Sequence, residues 1–119
     1  MRVLIVDDSR LARLMLRKAL PPDLLTDVVE ASDGDEALRC VATSQIDLML
    51  LDLTMPERDG YQVLKTLHES GRTPPTIVVS ADAQSLAAER VLQLGALAFV
   101  KKSLKPAELT EILQRAGLL

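Results

Sequence analysis

Four short apolar runs in this chain break abruptly on a polar or charged group. Val3–Val6 stops at Asp7-Asp8, Leu48–Leu51 at Asp52, Thr76–Val79 at Ser80, and Leu97–Val100 at Lys101-Lys102. Runs of about four apolar residues backed by turn signals read as strands buried on both faces, as in a parallel sheet. A further strand, the second in chain order, is expected over 27–31, and the third strand over 46–51. Between the strands the apolar spacing turns helical. Ser9 is placed to cap a helix running to about Leu20, with Leu11, Leu14 and Met15 at helical spacing and Pro21-Pro22 as the stop. Asp33-Gly34-Asp35-Glu36 has the capping-box spacing and opens a helix carrying Ala37, Leu38, Val41 and Ala42.

After the loop Thr54–Gly60, a third helix carries Val63, Leu64 and Leu67 and ends at Ser70-Gly71 before Pro74-Pro75. A fourth runs from about Ser85 to Leu94, closed by Gly95, and a fifth starts near Pro106 with Leu109, Ile112 and Leu113 facing inward. Five strands alternating with five helices predict an α/β fold, a parallel sheet covered on both faces, with right-handed crossovers. No repeat, low-complexity tract or linker interrupts the 119 residues, so residues 1–119 are expected to form a single domain.

Composition narrows the function. A net charge of −3 argues against a non-specific nucleic-acid binder, and one Tyr, one Phe and no Trp offer little for stacking on bases. The lone Cys40 excludes an internal disulfide. No apolar stretch approaches the ~20 residues of a membrane span, and the N-terminus lacks the shape of a signal peptide. The expectation is a cytoplasmic protein with no membrane or direct nucleic-acid partner.

In an open parallel sheet the ligand crevice lies beyond the carboxyl ends of the strands. Asp7, Asp8, Asp52, Ser80 and Lys102 would gather there. Asp after a strand is common in polar turns, but two adjacent carboxylates repel unless a cation or hydrogen bond relieves them. Asp52, delivered by a central strand, shifts the balance toward a site. Three carboxylates without His or Cys select an oxygen-liking ion, Mg²⁺ or Mn²⁺, which takes one or two carboxylates and fills its remaining positions with water and phosphate. Lys102 can pair with a carboxylate at rest and with a phosphoryl oxygen afterwards. A carboxylate can also attack phosphorus to give an acyl phosphate, and Asp52, between its partners, is the candidate nucleophile.

On these residues the chain resembles the CheY-like receiver domains of two-component response regulators, over essentially its whole length. The carriers of the resemblance are Asp7-Asp8, Leu51-Asp52-Leu53-Thr54-Met55-Pro56 with Asp59-Gly60, Ser80-Ala81, and Gly95 to Lys102. The resemblance implies a doubly wound, flavodoxin-like sheet of order 2-1-3-4-5. It implies that Asp52 accepts a phosphoryl group from a sensor histidine kinase, a phosphotransfer protein or a small phosphodonor. Asp8, Asp52 and the backbone carbonyl of Thr54 would bind Mg²⁺ directly, Asp7 mainly through water. Ser80 would hydrogen-bond the phosphoryl group, Phe99 would be the switch aromatic that turns inward, and Thr54 and Asp82 would tune phosphoryl lifetime. It implies a signalling module, an enzyme only toward its own phosphorylation and dephosphorylation, free-standing or at the N-terminus of a longer regulator, monomeric or weakly dimeric, with an output domain or protein that the sequence does not name.

The chain departs from the family where Ser103 follows Lys102 in place of the usual Pro. A cis bond to a non-proline residue costs ~2.5–4 kcal/mol, so a trans bond or an adjusted loop is expected. Lys105-Pro106 would restore the Lys-Pro pair but lies too far from Phe99. Two other functions compete. A Mg²⁺-dependent aspartyl-phosphate phosphatase would need a second Asp two residues after Asp52, where Thr54 stands. A degenerate receiver serving only as a binding scaffold would not need the acidic residues and Lys102. His68 is expected at the surface outside any phosphorelay, Arg10, Arg13 and Arg17 on a solvated helix face, and Leu86 or Leu97 among output contacts.

Overall fold

The computed structural model describes residues 1–53, 55, 59–81, 85–103 and 105–119, with backbone alone at 85 and 86. Its strands are β1 (Val3–Val6), β2 (Val28–Ala31), β3 (Leu48–Leu51), β4 (Thr76–Ser80) and β5 (Ala98–Lys101). Its helices are α1 (Arg10–Ala19), α2 (Gly34–Thr43), α3 (Gly60–Ser70), α4 (Ser85–Gln93) and α5 (Pro106–Arg115). The sheet is parallel throughout, in the order β2-β1-β3-β4-β5. β1, β3 and β4 are buried along their whole length, which is why they read as unbroken apolar runs. β2 and β3 begin at Val28 and Leu48, slightly later than the apolar pattern suggested, and β5 runs on through Lys101. A 3₁₀ turn over Pro22–Thr26, which the apolar spacing does not announce, tucks Leu24 under the sheet.

Because side chains alternate along a strand, the sheet separates two cores. Leu4, Val6, Met49, Leu51 and Val78 meet Ala37 of α2, Val63, Leu64 and Leu67 of α3, and Val91 of α4. Val3, Ile5, Leu48, Leu50, Ile77 and Val79 meet Leu16 and Ala19 of α1 and Leu109 and Leu113 of α5. Caps fix where the helices start. Ser9 Oγ accepts from the Ala12 amide at 3.2 Å, and the Asp33 carboxylate from the Glu36 amide at 2.8 Å. Asp59 and Gln62 bond reciprocally, each at 3.0 Å, at the start of α3, and Gly71 ends that helix with φ at 70°.

One helix turns a different face inward than its apolar spacing suggested. Leu16 and Ala19 are the residues that α1 buries, with Leu20 buried just beyond it, whereas Leu11, Leu14 and Met15 are 68%, 46% and 60% exposed.

Candidate functional site

The strand ends assemble the site. The ladder continues one residue past β1 and β3: the Asp7 amide donates to Ala31 O at 3.1 Å, and the Asp52 amide to Val6 O at 3.0 Å. Asp7 and Asp52 are thereby held side by side and out of water, at 0% and 2% exposure. At the end of β4 and just past β5, the Lys102 amide donates to the Ser80 carbonyl at 2.9 Å, which brings the buried Ser80 to the same rim. The Lys102–Ser103 peptide is trans.

Lys102 Nζ lies 2.9 Å from Asp7 Oδ2 and 3.5 Å from Asp52 Oδ1. Asp7 Oδ1 accepts from the Ser9 amide at 2.9 Å, which closes the turn from β1 into α1. Burial works against the charged form of Lys102, but the hydrogen bond and charge of Asp7 and the charge of Asp52 outweigh it. Together they raise the lysine above its ordinary pKa.

Asp8 remains exposed, yet one of its carboxylate oxygens lies within 4.8 Å of an oxygen from Asp7 and one from Asp52. Of the adjacent pair, Asp7 is thus the residue turned into the protein and Asp8 the one at the mouth. Three carboxylates against one ammonium leave a formal excess of two negative charges. An all-oxygen donor set with that excess fits a hard divalent cation such as Mg²⁺ or Mn²⁺. Thr54 and Asp82, the expected lifetime-tuning positions, lie outside the described residues. Phe99 is half-buried, paired with Val78 across the sheet and packed against the α2–α4 core.

A family model, the response regulator receiver domain, matches residues 3–114. The chain belongs to that family. Among solved receiver structures it resembles the CheX-CheY-BeF₃-Mg²⁺ complex from Borrelia burgdorferi, with a TM-score of 0.90 and 28% identity, covering 100% of this chain and 90% of that one. A receiver protein from Pseudomonas putida is 31% identical with a TM-score of 0.84, covering 97% and 98% of the two chains. Curated relatives include a protein-glutamate methylesterase/protein-glutamine glutaminase of Koribacter versatilis, 41% identical over 92% of this chain and 31% of the relative. The transcriptional regulatory protein DltR of Streptococcus agalactiae is 36% identical over 99% of this chain and 51% of its own. This receiver domain spans only about a third to a half of those relatives.

Several side chains belong to the receiver's rim although their spacing did not mark them. Arg13 donates from Nη1 to the Asp7 main-chain oxygen at 2.7 Å and from Nε to Glu30 Oε1 at 2.8 Å, while Arg17 donates to Glu30 Oε2 at 3.0 Å. Two of the three arginines expected on a solvated face are therefore tied to β2. Gly60, one of the residues that carried the resemblance, lies directly against the end of β3, its amide donating to Leu53 O at 3.1 Å. His68 is exposed, as expected, and Leu97 is 48% exposed. Leu86, the other expected output contact, has no described side chain. Among the described residues no helix is long and apolar enough to cross a membrane.

Proposed function

We propose that residues 1–119 act as one phosphoryl-accepting receiver, in which Asp52 takes a phosphoryl group in a Mg²⁺-dependent reaction and the modified state alters a partner-binding surface. The observation that carries this reading is the Lys102 ammonium set between the buried carboxylates of Asp7 and Asp52, with Asp8 within 4.8 Å at the mouth. Asp7, Asp8 and Asp52, with the Thr54 carbonyl, would hold the ion. Mg²⁺ or Mn²⁺, when bound, neutralises charge on the phosphoryl oxygens.

An Asp52 carboxylate oxygen attacks phosphorus. The bond from phosphorus to the donor breaks, the electron pair leaves with the donor, and an acyl phosphate remains on Asp52. Lys102 then exchanges its Asp52 contact for a phosphoryl oxygen while keeping Asp7. The Ser80 hydroxyl donates to a second phosphoryl oxygen. Movement of Ser80 toward that oxygen frees space beside β4 and β5, which Phe99 fills by turning further inward. On this reading the chain is a switch and not an enzyme toward external substrates.

The phosphodonor is a sensor histidine kinase or phosphotransfer protein. Leu11, Leu14 and Met15 offer it an apolar helix face beside a 250 Å³ groove whose walls include Asp7, Ser9 and Lys102.

Incubation with acetyl phosphate and Mg²⁺, followed by intact mass, tests the proposal. One metal-dependent phosphoryl adduct is expected on the wild type and none on Asp52→Asn. Absence of an adduct on the wild type, with beryllofluoride also failing to bind, would leave the scaffold reading.

A further inference from the structure

We infer that Arg13 is a positioning residue for the acidic pair, acting through the Asp7–Asp8 peptide and anchored at its far end by Glu30. The inference rests on the metal site of the proposed function. The Arg13 guanidinium reaches the site through the main chain, donating to the Asp7 carbonyl at 2.7 Å. A peptide is a rigid plane, so holding that carbonyl also sets the amide and Cα of Asp8. Asp8 is the exposed member of the cluster, and its placement rests on this turn.

A guanidinium held by a single bond would position poorly. That of Arg13 is held by two, because Nε also donates to Glu30 Oε1 at 2.8 Å, and the other Glu30 oxygen is occupied by Arg17 at 3.0 Å. Charge-assisted bonds from a planar fork give both direction and strength. Glu30 stands opposite Ile5 in the β1–β2 register, so the clamp ties the sheet's edge to the mouth of the site. The Arg13 side chain is only 15% exposed, unlike a solvated surface arginine.

The test compares wild type with Arg13→Met, Arg13→Lys and Glu30→Gln by calorimetric titration with Mg²⁺ and by exchange of the Ser9 amide in metal-free protein. Groups that orient metal ligands from behind typically contribute about 10–100-fold in affinity. Arg13→Met is expected to weaken Mg²⁺ binding about tenfold, with smaller losses in Arg13→Lys and Glu30→Gln. Ser9 exchange should quicken while amides of β4 stay protected, a pattern that global destabilisation would not produce. Binding in Arg13→Met equal to or tighter than wild type overturns the inference, since removing a positive charge without a positioning loss strengthens cation binding. Should wild type itself bind no ion, the metal-site reading fails, and unchanged Ser9 exchange in Arg13→Met would separately overturn the clamp.

Discussion

Gly60 sits so close to Asp52 that a Cβ on it would lie 2.4 Å from the Asp52 carbonyl oxygen and 2.8 Å from the Leu53 Cα. Both are backbone atoms, so a side chain at 60 forces either α3 or the end of β3 to move. Gly60→Ala is therefore expected to destabilise the fold by about 1–3 kcal/mol, as overpacking does. Displacement of Asp52 should also slow labelling by acetyl phosphate. Urea unfolding beside the labelling rate checks both, and wild-type values in each would contradict the close approach.

Lys102 carries a pH signature. Its folded pKa is raised because the Asp7 and Asp52 contacts outweigh the cost of burial. Its stabilisation is thus fully present below the unfolded lysine value of about 10.4 and declines as pH rises through the folded value. Lys102→Met should lower stability by roughly 1–2 kcal/mol at neutral pH, less than for a fully buried pair because the side chain is 31% exposed. The gap between the two proteins should narrow as pH rises above about 10. A gap that stays constant through that range would contradict the assignment to Lys102.

Asp7 and Asp8 are adjacent but predicted to behave differently. Asp8→Asn, at an exposed position, should change metal-free stability by less than about 0.5 kcal/mol while weakening the protection that Mg²⁺ confers. At a hundredfold excess over Kd that protection amounts to about 2.7 kcal/mol. Asp7→Asn keeps an oxygen for the Ser9 amide but removes the charge that pairs with Lys102, and should cost stability even without metal. Thermal melts with and without Mg²⁺ separate the two outcomes.

The outward face of α1 supplies a test of donor entry. Met15→Glu should leave the melting temperature near that of wild type, since Met15 is 60% exposed. Labelling by acetyl phosphate should be preserved, while transfer from a phosphorylated histidine protein falls severalfold. Equal slowing with both donors would place Met15 in the chemistry and not in docking.

Much of this receiver could be read from the residues. β1, β3 and β4 were legible because burial on both faces makes a strand an unbroken apolar run, and the convergence of Asp7, Asp52, Ser80 and Lys102 follows from the shared direction of parallel strands. The orientation of α1 was not legible. Leu11, Leu14 and Met15 recur at helical spacing, and so do Leu16, Ala19 and Leu20; only packing against β1 and α5 selects the second set. The Arg13 clamp was equally hidden, because its partner Glu30 lies 17 residues away and becomes a neighbour only once β1 and β2 are paired.

The alternation along β5 has a consequence for how the molecule can change over time. Phe99 belongs to the core beneath α2, α3 and α4, whereas its neighbours Ala98 and Val100 belong to the one beneath α1 and α5. On the proposed function the sheet would work as a bulkhead, with the helix proposed to meet the donor on one side and the aromatic proposed to follow Ser80 on the other. Substitutions that retune one compartment meet few side chains of the other, so the choice of donor and the choice of listener would be free to drift apart.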